Sequence, residues 1–128
     1  MRVLYVDDDR VNALLFAEMC RLLAGVEVET AGSGAEALEL LEEFRPDLLV
    51  LDLHLSDTDG AALMPLLRQR LGAPVRAVLC SADTAEAVQA RARAAGFDGW
   101  LTKPIEFEAL RAQLAHSSAA PQAAGTDA

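Results

Sequence analysis

Val3-Leu4-Tyr5-Val6-Asp7-Asp8-Asp9 is the stretch from which the fold can be read. A short, unbroken apolar run stops abruptly at three acids, and a segment of helical period follows. An apolar run that does not alternate with polar residues marks a strand covered on both faces. The same pattern recurs at Val26–Ala31, Leu48–Leu53, Val75–Cys80 and Trp100–Leu101.

Helical segments fill the intervals. Val11, Leu14, Leu15, Met19, Leu22 and Leu23 form a stripe that predicts the inner face of a first helix, closed by Gly25. Ser33-Gly34-Ala35-Glu36 is a capping box opening a second, with Ala37, Leu38, Leu41 and Phe44 inward and Pro46 beyond its end. Leu63, Leu66, Leu67 and Leu71 mark a third, ending at Gly72 and Pro74. Asp83-Thr84-Ala85-Glu86 is read as the cap of a fourth, reaching Gly96, and Ile105, Phe107, Leu110 and Leu114 mark a fifth. Val88 is the only large apolar residue of the fourth, which is therefore expected to be the least firmly anchored. Five alternations of strand and helix predict an α/β domain with a parallel sheet and right-handed crossovers. From Ser117 onward there is no periodicity and no bulky residue, so residues 1–116 are expected to form the domain and 117–128 a flexible alanine-rich tail or linker stub.

The 128 residues carry 20 acids against ten arginines and one lysine, Lys103, for a net charge of -9. That balance argues against direct binding of nucleic acid or an anionic membrane, both of which need a basic face. No window approaches the ~20 apolar residues of a membrane span. No signal-peptide pattern opens the sequence, and Cys20 and Cys80 lack zinc-ligand spacing and read as reduced core residues, so a cytoplasmic location is expected.

In an open parallel sheet, ligands bind beyond the carboxyl ends of the strands. Those ends carry Asp7, Asp8 and Asp9 after the first strand, Asp52 after the third, Ser81 after the fourth, and Thr102-Lys103-Pro104 after the fifth. Gathered carboxylates repel one another unless a cation joins them. Hard oxygen donors of this kind suit Mg²⁺, which also accepts phosphate oxygens. A lysine and a hydroxyl facing the acids would bind the remaining oxygens of a phosphoryl group. The blander readings are a helix cap for the acids, which suits Asp9, and a strand-end turn or cap for Asp52 and Ser81.

Val6-Asp7-Asp8-Asp9, Leu51-Asp52, Asp59-Gly60, Leu79-Cys80-Ser81-Ala82 and Trp100-Leu101-Thr102-Lys103-Pro104, in this order and spacing, resemble the successive signatures of bacterial response-regulator receiver domains, the chemotaxis regulators among them. The resemblance covers about residues 1–116. It implies a flavodoxin-like (βα)5 fold with sheet order 2-1-3-4-5 and a role in two-component signalling, with no enzymatic activity beyond the domain's own phosphoryl transfer and autodephosphorylation. Asp52 would be the phosphoacceptor, supplied by a histidine kinase or a histidine phosphotransfer protein. Asp7, Asp8, Asp52 and the backbone carbonyl of His54 would hold Mg²⁺. Ser81 would bond the phosphoryl oxygen, Lys103 would pair with it, and Trp100 would be the aromatic switch acting with Ser81 toward a downstream protein that the sequence does not name. The Lys103-Pro104 bond would be cis.

Three positions depart from the family pattern. Ser56 replaces a common proline, so the loop from Leu53 to Asp59 is expected to be less rigid; Trp100 replaces tyrosine or phenylalanine; and His54 stands where side chains influence the access of water. Two other readings are weighed. Asp7-Asp8-Asp9-Arg10-Val11 also fits the opening of haloacid-dehalogenase-like phosphatases, with Asp7 as nucleophile and Asp9 as acid/base, but leaves Asp52 without a role. A receiver fold used as a binding module without phosphorylation is the other, and no missing site residue motivates it. The residues after 116 are too few for an output domain, so the chain reads as a stand-alone regulator or as the receiver of a longer protein such as a hybrid histidine kinase.

Overall fold

A computed structural model describes the backbone of residues 1–126 and the side chains of residues 1–116. Five strands alternate with five helices: β1 (Arg2–Val6), α1 (Arg10–Arg21), β2 (Glu27–Ala31), α2 (Gly34–Leu40), β3 (Leu48–Asp52), α3 (Gly60–Leu71), β4 (Arg76–Ser81), α4 (Ala85–Ala95), β5 (Gly99–Thr102) and α5 (Phe107–Thr126). The strands form one parallel sheet in the order β2-β1-β3-β4-β5. This is the flavodoxin-like arrangement that the motifs imply, and its order reverses between β1 and β3, where the crevice opens.

Side chains alternate across each strand, so each apolar run feeds two cores. Leu4, Val6, Leu49, Leu51 and Leu79 pack with Ala37, Leu41, Leu63, Leu67 and Val88 of the α2–α4 side. Val3, Tyr5, Leu48, Val50, Val78 and Cys80 pack with Phe16 and Cys20 of α1 and with Leu110 and Leu114 of α5. β2 differs from the other runs: Glu27 and Glu29 are exposed, as suits an edge strand covered less completely than the central ones.

The first helix corrects the expected stripe. Val11, Leu14, Leu15 and Leu22 are exposed, at 63%, 66%, 56% and 74%, while Phe16 and Cys20 are buried and Ala13, Met19 and Leu23 lean on the core beside them. The helix is apolar around most of its circumference, so periodicity offers two faces, and the sheet takes the one carrying the aromatic ring. The helix also ends at a Leu22 cap, and Gly25, with φ 76°, belongs to the turn into β2. In α3 the expected inner residue Leu66 is half exposed, while Leu63, Leu67 and Leu71 are buried.

The caps are of the expected chemistry, with one displaced. Ser33 Oγ accepts the Glu36 amide at 3.1 Å, and Glu36 reaches back to the Gly32 amide at 2.7 Å. Thr84, not Asp83, caps α4, accepting the Ala87 amide at 3.2 Å; Asp83 is engaged with Ser81 instead. Beyond Ser117 the backbone is helical through Thr126 where a tail is predicted, and the alanines there have the highest helix propensity. Asp127 and Ala128 lie outside the described residues.

Candidate functional site

Parallel register brings the strand ends together. Val6 lies beside Leu51, Asp52 beside Cys80, and Ser81 beside Thr102. Asp7, Asp8, Asp52, Ser81 and Lys103 therefore meet along one edge of the sheet, although up to a hundred residues of chain separate them.

Asp7 is the most heavily bonded group of the set. Its Oδ2 accepts from the Tyr5 hydroxyl at 2.7 Å and pairs with Lys103 Nζ at 2.8 Å, and its Oδ1 accepts the Asp9 amide at 2.9 Å. Burial alone would push the Asp7 carboxyl up, but Lys103, the Asp9 amide and Tyr5 together bring it below the ordinary carboxylate value. Lys103 Nζ also stands 3.1 Å from Asp52 Oδ1. Burial works against the Lys103 ammonium, yet the two carboxylates hold it above its usual value, so it stays charged. Asp52 behaves oppositely to Asp7. Its burial, with the added charge of Asp7, raises its proton affinity above the ordinary value despite Lys103.

Carboxylate oxygens of Asp7, Asp8 and Asp52 lie within 4.8 Å of one another, the first and last buried and Asp8 exposed. Three hard anionic donors with one open side fit a small divalent cation that keeps part of its water. A groove of about 440 Å³ beside them, lined in part by Asp8, Arg10 and Glu36, leads to solvent. Asp9 faces away, capping α1 through the Val11 and Asn12 amides at 2.9 and 3.3 Å.

The loop after β3, which carries Ser56, is tied at several points by hydrogen bonds. The Leu55 amide donates to the Thr58 carbonyl at 3.2 Å, and the Gly60 amide to the Leu53 carbonyl at 3.0 Å. Asp57 accepts the Gly34 and Ala35 amides at the start of α2, both at 3.0 Å, which holds its carboxyl below the ordinary range. Gly60 is required by space: a Cβ there would lie 2.5 Å from the Asp52 carbonyl oxygen.

Ser81 is buried at the end of β4. Its hydroxyl donates to Asp83 Oδ2 at 3.1 Å and accepts the Asp83 amide at 3.2 Å. The His54 ring is exposed, with Nε2 3.8 Å from that same Asp83 oxygen. Trp100 is half-buried and packs on the α2–α4 core, and the Lys103-Pro104 bond is cis. Sequence reasoning missed Tyr5, Asp57 and Asp83. A tyrosine two residues before Asp7, on the same strand face, was a readable signal; the other two are acids in loops, where nothing local marks them.

The profile of the response regulator receiver domain matches residues 3–115. The chain belongs to the receiver domain family. Among curated relatives, this receiver is 36% identical over 114 residues to the transcriptional regulatory protein KdpE of Mycobacterium tuberculosis, covering 89% of this chain and 50% of that one. It is 35% identical over 112 residues to the autoinducer 2 sensor kinase/phosphatase LuxQ of Vibrio harveyi, covering 86% of this chain and 13% of that one. The chain thus spans half or less of the length of these relatives. Among solved structures, the chemotaxis protein CheY4 of Vibrio cholerae superposes with a TM-score of 0.79 at 27% identity, over 91% of this chain and 97% of the other. The matched region is a receiver domain, a signalling domain of two-component systems.

Proposed function

We propose that this receiver accepts a phosphoryl group on Asp52 from a histidine kinase or a histidine phosphotransfer protein, with Mg²⁺, and that the modification switches a partner-binding face. The observation that carries this reading is the position of Asp52: buried at a strand end, 3.1 Å from the only lysine and beside two further carboxylates. An Asp52 oxygen forms the new O–P bond as the P–N bond of the phosphohistidine breaks, its electron pair returning to the imidazole. Attack needs Asp52 ionised, and its raised proton affinity makes the nearby cations necessary.

Asp7, Asp8, Asp52 and the His54 carbonyl would hold Mg²⁺, which when bound neutralises charge on the phosphoryl oxygens. Lys103 would leave Asp7 to pair with the phosphoryl group, and Ser81 would leave Asp83 to donate to it. Later attack of water at phosphorus would release phosphate and restore Asp52, and the exposed His54 ring beside Asp83 would influence the access of that water. Asp7 as the nucleophile of a phosphatase is disfavoured, because it leaves the buried Asp52 and its pairing with Lys103 without a role.

Exposed Val11, Leu14 and Leu15 on α1, which starts beside the acids, offer an apolar face for a helix of the phosphodonor. On the output side, movement of Ser81 would be transmitted to Trp100 and the neighbouring α4, which buries only Val88 and Ala92. A cytoplasmic site of action suits a histidine kinase donor, and no described helix is long and apolar enough to cross a membrane. The net charge of -9 argues against direct contact with nucleic acid.

Incubation with acetyl phosphate and Mg²⁺, read by intact mass and peptide mapping, tests the proposal. Modification of Asp52, lost on Asp52→Asn and on chelation of the metal, is the expected result. An unmodified wild-type chain would point to a constitutive binding module, and modification at Asp7 to the phosphatase reading.

A further inference from the structure

Tyr5 is an unexpected residue in its setting. It lies wholly buried in β1 among apolar neighbours, its ring stacked on Phe16 with centroids 4.1 Å apart and planes 7° from parallel. Packing would be served as well by phenylalanine, which brings no hydroxyl to desolvate. The hydroxyl has one partner, Asp7 Oδ2 at 2.7 Å, and that oxygen is shared with Lys103 at 2.8 Å.

The sharing has a consequence for the phosphoryl site. In the resting arrangement Lys103 serves Asp7 and Asp52 together. If Lys103 turns to a phosphoryl group on Asp52, Asp7 Oδ2 loses its cation while remaining buried, and an unsatisfied buried carboxylate oxygen is costly. Tyr5 is the donor that stays, because the stack on Phe16 holds the ring between β1 and α1. With the Asp9 amide on Oδ1, it leaves the carboxylate one orientation.

We propose that Tyr5 is a positioning residue of the phosphoryl site: its phenol holds the Asp7 carboxylate toward the divalent cation and leaves Lys103 free for the phosphoryl group. Partners of this kind orient metal ligands, and their removal typically weakens binding by about 10–100-fold. The inference rests on the Mg²⁺-dependent acceptor reading above.

The test compares wild type, Tyr5→Phe and Phe16→Leu by calorimetric titration with Mg²⁺ and by thermal unfolding in chelator. Tyr5→Phe is expected to weaken Mg²⁺ binding about tenfold or more while unfolding close to the wild-type temperature. Phe16→Leu, which loosens the stack but keeps the hydroxyl, is expected to lower the unfolding temperature with a smaller loss of affinity. Tyr5 is the only tyrosine in the chain, so tyrosine labelled at Cζ alone gives one carbon resonance, which should shift along the Mg²⁺ titration with the calorimetric midpoint. Wild-type affinity in Tyr5→Phe, or equal losses in the two variants, would overturn the inference and leave the acceptor reading intact. Should Tyr5→Phe fail to fold, an invariant tyrosine resonance in wild type overturns it and a shifting one supports it. A wild-type chain that binds no Mg²⁺ overturns the acceptor reading itself.

Discussion

The Lys103 ammonium stands closer to Asp7, at 2.8 Å, than to Asp52, at 3.1 Å. The only lysine in the chain is thus a counter-ion to two buried carboxylates before it meets any phosphoryl group. Removing it as Lys103→Met leaves both acids uncompensated and should cost about 2–4 kcal/mol near neutral pH. Asp52 already binds its proton more tightly than an ordinary carboxyl, so the loss should shrink as the pH falls and one acid is neutralised. Urea unfolding at two pH values checks this, and an equal loss at both would contradict it. Acceptance of a phosphoryl group from acetyl phosphate should fall in the same variant.

Gly60→Ala would drive a methyl group to 2.5 Å from the Asp52 carbonyl oxygen. The obstacle is backbone, so the β3 end or the start of α3 must move. A destabilisation of about 1–3 kcal/mol is expected, together with weaker Mg²⁺ binding, because the displaced strand end carries Asp52. Denaturant unfolding and metal titration of the variant read the two effects. An unchanged Mg²⁺ affinity would show that the strand end tolerates the shift.

Alkaline pH should unfold the protein from the inside. Burial pushes the Cys20 thiol up to about 11 and the Cys80 thiol up to about 12, from an ordinary 9.0. Tyr5 is also raised, first by burial. Between each unfolded and folded value the native state binds more protons than the unfolded chain, so stability falls as pH rises. The decline should begin near pH 9 and continue to about 12 for the thiols, at up to about 1.4 kcal/mol per unit per group. Lys103 acts in the same direction: its contribution is complete below its ordinary 10.5 and is lost above it. Chemical unfolding across this range checks the slope, and native thiols should resist alkylation at mildly alkaline pH.

Leu14→Gln with Leu15→Gln separates the observed α1 face from the expected one. Both residues are exposed, so stability should change by less than about 0.5 kcal/mol for each. Had they formed the inner stripe, each polar replacement would cost several times that. Phosphotransfer from a cognate histidine kinase should slow about tenfold, equivalent to about 1.4 kcal/mol, while modification by acetyl phosphate stays at the wild-type rate. A parallel fall in both rates would place the effect in the site, not in docking.

Much of the architecture was legible along the chain. Five short runs marked the strands, four of them ending in polar residues, and Gly72, Gly96 and Ser33 marked helix ends by the backbone angles and amide bonds those residues supply. Asp7, Asp8, Asp52, Ser81 and Lys103 were readable as candidates because parallel strands must deliver their carboxyl ends to one edge. The α1 face was not legible, since leucines on both sides of that helix satisfy the same period. Nor was the displaced cap at α4, where Asp83 and Thr84 are equally competent and the neighbouring Ser81 hydroxyl claims the aspartate.

The sequence by itself determined which residues carry charge and hydroxyls at the strand ends, because alternation of strand and helix follows from local patterns of apolarity and turn chemistry. Tertiary structure alone decided how those groups share their bonds. Tyr5, Asp7 and Lys103 meet on one carboxylate oxygen, and Asp57 reaches across to the first amides of α2. Hydrogen bonds and ion pairs depend on separations of about 3 Å between atoms, and only the packed sheet brings positions this far apart in the chain to that distance.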